Sequence, residues 1–354
     1  MEAAAKNDGV LQPFRGPEED SAAVDPEVTA APEISIVSPL HNERASLGLL
    51  LDECRAVLDD PALDWSALGI EAGSAAPRWE IVFVDDGSND GSWRMIEELA
   101  AKHDNVRAFR LRRNLGKSAA LQVGFSHCRA PVVISLDADL QDDPREIPRM
   151  IGLLGAGYDL VSGWKRKRHD SGARVAASRV FNFAVRRLWG LQLHDFNCGF
   201  KAYRAEVVRD VRIYGELHRF IPVVAAFKGF RVGEIEVAHR PRRFGRSRYG
   251  WGRAFRGLMD LLTVLFLTRF DMRPAHFFGL PGALLMTVGM SCVAYVSYLR
   301  IVYGEILGRH PLLIFGVLCS LAGLQLVTSG FLGEMLAAHL PRDEDSTVVR
   351  ARLD

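Results

Sequence analysis

Three short polar clusters carry most of the chemistry this chain could perform: Pro39-Leu40-His41-Asn42-Glu43, Asp85-Asp86-Gly87-Ser88 and Asp137-Ala138-Asp139-Leu140-Gln141. Two carboxylates separated by one residue, with a carboxamide two positions further on, offer three oxygen ligands to a hard divalent cation. Mg²⁺ or Mn²⁺ held by Asp137, Asp139 and Gln141 would keep open positions for a diphosphate. An Asp-x-Asp pair is common in acidic loops and is weak evidence alone. Its weight here comes from position, because each of the three clusters closes a short apolar run. Neither Gly-x-Gly-x-x-Gly nor a complete Gly-x-x-x-x-Gly-Lys-[Ser/Thr] phosphate loop follows any of these runs, which argues against dinucleotide and P-loop sites.

The elements that must position these clusters alternate regularly. Ile34–Leu40, Ile81–Asp86, Val106–Leu111 and Val132–Asp137 read as strands; Glu43–Leu58, Ser92–His103 and Lys117–Cys128 read as helices between them. Continuous apolar strands separated by helices predict a parallel sheet covered on both faces. Ligands of such sheets bind beyond the carboxyl ends of the strands, where the polar clusters lie. Strand alternation would put Asp137 and Asp139 on one side of the backbone if the fourth strand continues.

The 354 residues are 48% hydrophobic and 25% charged, enough for a full catalytic domain and something smaller. The net charge of +1 conceals segregation: residues 1–162 carry −13, residues 163–256 carry +15 and residues 257–354 carry −1. Five scattered cysteines, none in a Cys-x-x-Cys spacing, give no disulfide framework and no cysteine zinc site, and suit a reducing compartment. Between Arg273 and Arg300 lie 26 residues without Asp, Glu, Lys or Arg, and between Arg309 and Glu334 lie 24. Each can cross a hydrocarbon core as a helix, and the short link makes them a hairpin with both ends on one side. With no signal peptide or earlier span, that side is expected to be cytoplasmic. Upstream, Gly257–Phe270 is too short to span and reads as an amphipathic interfacial helix. The arginines before it (Arg240, Arg242, Arg243, Arg246, Arg248, Arg253 and Arg256) would then lie among anionic head groups. Gly279, Gly282 and Gly289 offer a surface for association between copies, a homo-oligomer.

The clusters and the hairpin together resemble the inverting family 2 glycosyltransferases of the polyprenyl-phosphate type, related to dolichol-phosphate mannose synthase and bactoprenol glucosyltransferases. The resemblance runs from Ile34 to about Ala338. It rests on P-L-H-N-E, VDDGSNDGS, N-L-G-K-S-A-A, D-A-D-L-Q-D-D-P, D-F-N-C-G-F-K-A-Y and G-R-S-R-Y. It implies an α/β fold of the GT-A type, Rossmann-like with a mostly parallel sheet, followed by the interfacial helix and the two-helix transmembrane hairpin. The chain then divides into a disordered tail over 1–32, the GT-A domain over 33–240 and a basic juxtamembrane segment over 241–272. The hairpin follows over 273–338, with helices at about 274–299 and 311–337, and a cytoplasmic tail over 339–354.

Carried over by position, the resemblance implies that Pro39, His41 and Glu43 line the nucleotide, with Asp86 on the base and Lys117 near the donor phosphates. Asp137, Asp139 and Gln141 would hold the metal and diphosphate. Lys165, in Ser162-Gly163-Trp164-Lys165, would take the place of an arginine that meets the acceptor phosphate, and Arg174 that of a second. His41 stands where the family has an aromatic Tyr, and Lys165 replaces a bidentate guanidinium by a point charge. Arg246, Ser247 and Arg248 would close over the donor diphosphate.

A polyprenyl phosphate is already an anionic oxygen nucleophile, so direct attack on the anomeric carbon requires no general base. The reaction needs charge control instead, from a metal at the departing diphosphate and cations at the second phosphate. The expected activity is therefore inverting transfer of a hexose from a nucleotide sugar, UDP-glucose favoured and GDP-mannose the alternative, to a polyprenyl phosphate, undecaprenyl phosphate favoured. Its product would be a lipid-linked donor for cell-envelope glycans, made at the cytoplasmic membrane with both termini cytoplasmic. Membrane lipid is an expected partner; nucleic acid is not. A non-catalytic nucleotide-sugar-binding scaffold is the rival of another class. A processive polysaccharide synthase is disfavoured by the missing Q-x-x-R-W motif, and a nucleotidyltransferase by P-L-H-N-E where a glycine-rich basic loop belongs.

Overall fold

The structure, a computed structural model, describes residues 31–70, 76–166, 182–183, 185–215, 217–241, 259, 262–266, 268, 270, 273–304 and 308–339. Arg174, the Arg246-Ser247-Arg248 loop and nearly all of the tail expected over 1–32 lie outside the described residues.

Four strands, β1 (Ile34–Leu40), β2 (Trp79–Asp85), β3 (Val106–Arg110) and β4 (Val132–Ser135), are mutually parallel. They are connected through α1 (Leu47–Leu58), α2 (Ser92–Ala100) and α3 (Lys117–Ser126). After α4 (Ile147–Gly155) come β5 (Leu160–Trp164), β6 (Lys201–Arg204), α5 (Ala205–Asp210), α6 (Ile221–Phe227) and β7 (Val232–Glu236). The seven strands form one sheet in the order β3-β2-β1-β4-β6-β5-β7. Every residue of β1 and β2 is buried, as strands covered on both faces must be. Ile34, Ile36, Ile81 and Phe83 point into one core with Leu47, Leu50 and Leu51 of α1, while Val37 and Val133 point into another with Leu121 and Phe125 of α3.

Two features of this sheet place the polar clusters. β4 ends at Ser135, two residues short of Asp137, whereas β1 runs on to Leu40. The Val37 carbonyl accepts from the Leu136 amide, and Pro39, facing the same way two residues later, lies past the end of β4 where no ladder donor is required. In addition, β6 runs antiparallel to both β4 and β5, so the sheet is mixed rather than wholly parallel. Because Lys201 pairs with Ser135, the residues just before β6 lie beside those just after β4.

Two 30-residue helices, α7 (Pro274–Tyr303) and α8 (His310–His339), follow. Both are apolar enough to cross a membrane, and Leu280, Ile301 and Leu332 are each at least 70% exposed on their outer faces. Such surface requires an apolar surround. The inner faces meet through glycine: a Cβ on Gly289 would lie 2.5 Å from the Gly316 carbonyl oxygen, and one on Gly282 would lie 2.8 Å from that of Gly323. The Glu334 carboxylate of α8 accepts the otherwise orphaned Ala275 amide at the start of α7, at 3.2 Å. Gly282 and Gly289 are thus used within one chain, which removes the ground for reading them as an oligomer surface; Gly279 faces open space. Gly289→Leu is expected to destabilise the hairpin by at least about 1–3 kcal/mol, since backbone rather than a pliable side chain stands in the way. Gly279→Leu is the control. Unfolding midpoints in detergent should fall for the first and stay near wild type for the second.

Candidate active site

The site lies beyond the carboxyl ends of β1, β2 and β4, joined by the turn before β6. Along residues 137–142 partly exposed and buried positions alternate: Asp137, Asp139 and Gln141 are partly exposed, while Ala138, Leu140 and Asp142 are at most 2% exposed. The two carboxylates and the carboxamide therefore share an exposed side, as expected, although β4 has already ended. A turn produces this arrangement. Leu140 adopts φ +59°, rare for a non-glycine residue, and its buried side chain anchors that strained position in the core. The Asp139 carboxylate accepts the Gln141 amide at 3.2 Å across the turn.

Lys117 is the first residue of α3, and its Nζ lies 2.5 Å and 2.7 Å from the two oxygens of Asp137. Burial pushes the Asp137 carboxyl upward, but Lys117 and then Lys165 outweigh it and hold the group below the usual carboxylate range. The loop carrying Lys117 is fixed by Asp86, whose carboxylate accepts the Leu115 amide at 2.7 Å and the Gly116 amide at 2.9 Å. Gly116 has φ +94° and ψ 163°, a conformation essentially confined to glycine. Asp86 thereby holds the loop that leads into the positive end of α3.

His41 accompanies it: its Nδ1 bonds the Asp86 carbonyl at 2.9 Å, so the proton sits on Nδ1 and Nε2 is an acceptor. The Glu43 amide donates to Ser92 Oγ at 3.1 Å, and Asn42, in the left-handed region at φ +60°, takes the Asn89 amide on its Oδ1. Thus Pro39, His41, Glu43 and Asp86 come together at the ends of β1 and β2, and Lys117, Asp137, Asp139 and Gln141 at the ends of β4 and the start of α3.

Lys165 departs from the open point charge expected of it. Its Nζ lies 2.6 Å from the fully buried carboxylate of Asp142, and its side chain is 14% exposed. Burial lowers the ammonium's pKa, and Asp142 more than reverses this, so Lys165 stays charged beside Asp142. Arg240 departs as well: it pairs with Glu53 and Asp143 rather than projecting toward head groups.

Several participants carried no role at the level of sequence. Gly199 passes so close to the Lys117–Asp137 pair that a Cβ on it would lie 2.6 Å from Asp137 Oδ2 and 2.7 Å from Lys117 Nζ. Its carbonyl is held by Ser135 Oγ at 2.6 Å. Lys201, buried at the start of β6, donates to the Cys198 carbonyl, and burial with Lys117 nearby lowers its pKa to about 8. His218 Nδ1 lies 2.9 Å from Ser118 Oγ, and burial followed by the charges of Lys117, Arg219 and Lys201 holds its pKa well below the usual value. The N-C-G-F-K stretch was a signal for Gly199 and Lys201; nothing in the sequence singled out His218.

Among the described residues no three His, Cys, Asp or Glu side chains gather closely enough to hold a metal by themselves. A divalent ion here would rest on Asp137, Asp139 and the Gln141 carboxamide, completing its shell with diphosphate oxygens or water, which suits an open Mg²⁺ or Mn²⁺ site. The donor set fits such an ion, because all three are hard oxygen ligands on one exposed side.

The family described as "Glycosyl transferase family 2" matches residues 35–212. The dodecaprenyl-phosphate galacturonate synthase of Rhizobium johnstonii is 36% identical over 319 residues, covering 89% of this chain and 90% of that protein. The undecaprenyl-phosphate 4-deoxy-4-formamido-L-arabinose transferase of Pseudomonas aeruginosa PAO1 is 36% identical over 305 residues, covering 86% and 84%. Among solved structures, a glucosyl-3-phosphoglycerate synthase from Mycobacterium tuberculosis, in complex with Mn²⁺, UDP-glucose and phosphoglyceric acid, has a TM-score of 0.50 at 20% identity. It covers 66% of this chain and 80% of that one, a likeness of fold.

Proposed function

The chain belongs to glycosyl transferase family 2, and from that premise we propose that it transfers a sugar from a nucleotide-diphosphate donor to a polyprenyl phosphate at a membrane, with inversion. The observation that carries this reading is the Lys117–Asp137 pair beside Asp139 and Gln141, on a domain followed by an apolar hairpin. The metal, when bound, neutralises charge building on the departing nucleoside diphosphate. Asp137, Asp139 and Gln141 would hold it, and Lys117 at the start of α3 binds the diphosphate oxygens. Pro39, His41, Glu43 and Asp86 form the side of the site assigned to the nucleotide, and Arg246, Ser247 and Arg248 are the loop proposed to close over it. Lys165 and Arg174 are the cations proposed for the acceptor phosphate, Lys165 acting as half of an ion pair with Asp142. A phosphate oxygen attacks the anomeric carbon directly, so no residue is assigned as base.

For the sugar, a uronic acid takes precedence over glucose, supported by the relative named for galacturonate. The relatives named for 4-deoxy-4-formamido-L-arabinose favour that amidosugar as the second reading. On this reading the protein sits in the cytoplasmic membrane, with its catalytic domain and termini on the cytoplasmic side, supported by the two apolar helices that end the chain. A panel of UDP-galacturonic acid, UDP-4-deoxy-4-formamido-L-arabinose, UDP-glucose and GDP-mannose, each at equal concentration with undecaprenyl phosphate, tests the assignment. The highest kcat/KM is expected with UDP-galacturonic acid, and the lipid product of an α-linked donor should be β-linked. A preference for UDP-glucose or GDP-mannose would overturn the donor assignment, and a retained α linkage would overturn single displacement.

A further inference from the structure

Arg240 pairs the loop carrying Asp139 and Gln141 with the segment leading toward the membrane helices. The Arg240 amide donates to the Gln141 carbonyl at 2.8 Å, and residues 142 and 239 form an isolated antiparallel bridge. The Gln141 side chain returns a bond, its Nε2 donating to the Arg240 carbonyl at 3.4 Å. A carbonyl can only accept, so the amide must present its NH₂ end to Arg240. Its oxygen, the end able to ligate a cation, is turned the other way.

The Arg240 side chain fixes that backbone in place. Its guanidinium spans two carboxylates, 2.7 Å from Glu53 on α1 and 2.8 Å from Asp143 at the foot of the same loop, with 22% of the side chain exposed. A planar fork can serve both carboxylates at once, whereas an ammonium serves one point. Glu53 belongs to a helix packed on the central strands, so the clamp ties the loop to the rigid core.

We infer that Arg240 is a positioning residue for the metal: clamped between Glu53 and Asp143, its backbone orients the Gln141 carboxamide with oxygen toward the cation. The inference rests on the metal reading of Asp137, Asp139 and Gln141 given above. It also assigns Arg240 a task unlike that of the arginines that follow it, since its charge is spent inside the domain. Groups that orient a metal ligand typically alter affinity by about 10–100-fold when removed.

The test is Mn²⁺ binding to the full-length protein in detergent, read by the loss of the free-ion electron paramagnetic resonance signal, with UDP present and without any acceptor. Wild type should bind Mn²⁺ and Asp139→Asn should not. Arg240→Met should bind about 10-fold or more weakly, Glu53→Ala should be weakened in the same direction, and Arg240→Lys should lie between Arg240→Met and wild type. Unfolding midpoints measured alongside separate positioning from stability, because a merely structural role lowers the midpoint and leaves the Mn²⁺ affinity of the folded fraction unchanged. Wild-type affinity in folded Arg240→Met overturns the proposal. If Arg240→Met does not fold, Glu53→Ala decides, and unchanged Mn²⁺ affinity there overturns it. Equal binding by wild type and Asp139→Asn would instead overturn the metal reading beneath it.

Discussion

Asp139→Asn is expected to lower the transfer rate by about 10²–10³-fold, the scale on which a positioned charge stabiliser counts in a reaction that develops negative charge. The substitution is nearly isosteric, and the Asn side-chain oxygen can still accept the Gln141 amide that Asp139 accepts at 3.2 Å. The left-handed turn at Leu140, anchored by a side chain 1% exposed, should therefore survive. What is lost is one of the two carboxylate charges available to the cation, and a neutral amide is a much poorer ligand for Mg²⁺ or Mn²⁺. Steady-state rates at saturating donor, paired with an unfolding midpoint, check this. A folded Asp139→Asn protein with more than a tenth of wild-type activity would contradict the metal assignment.

Gly199→Ala is expected to cost about 10²-fold in kcat, through displacement of groups that must sit accurately around the diphosphate. The added methyl would meet the ends of two side chains, Asp137 Oδ2 at 2.6 Å and Lys117 Nζ at 2.7 Å, rather than backbone. Those ends can move apart. The strand itself is gripped by Phe200 and Ala202, both fully buried, and by the Ser135–Gly199 bond at 2.6 Å. The fold should therefore persist while the ion pair is disrupted, so kcat falls with little change in the far-ultraviolet circular dichroism spectrum. Near-normal kcat would show that the close approach of the turn before β6 has no part in the chemistry.

Some of this is legible in the sequence and some is not, for physical reasons. The four parallel strands are legible to within two residues at each end, Ile34–Leu40 identically, because continuous apolar runs bounded by polar clusters leave little choice of period. The alternation of Asp137, Asp139 and Gln141 on one side was also anticipated, although a turn rather than a strand produces it. The reversed direction of β6 was not readable, since a strand of four residues carries no sign of its neighbour's direction. With that direction unknown, Gly199 and Lys201 could not be placed beside Asp137. The pairing of charges was not readable for a related reason: Lys165 and Arg240 belong to a basic segment, and each is paired with a carboxylate distant in sequence, Asp142 and Glu53. The hairpin glycines were seen as a packing face, and the structure shows that the partner is the other helix of the same chain.

The central claim is a metal-dependent transfer from a nucleotide sugar to a lipid phosphate. It is tested most directly by incubating the full-length protein in detergent with undecaprenyl phosphate, Mn²⁺ and UDP-galacturonic acid labelled in the sugar, then counting label extracted into organic solvent. The account predicts label in the lipid phase that depends on Mn²⁺ or Mg²⁺, disappears on chelation and requires the phosphorylated lipid. Label that reaches the lipid phase equally well after chelation, or donor binding with no transfer from any nucleotide sugar of the panel, would contradict it.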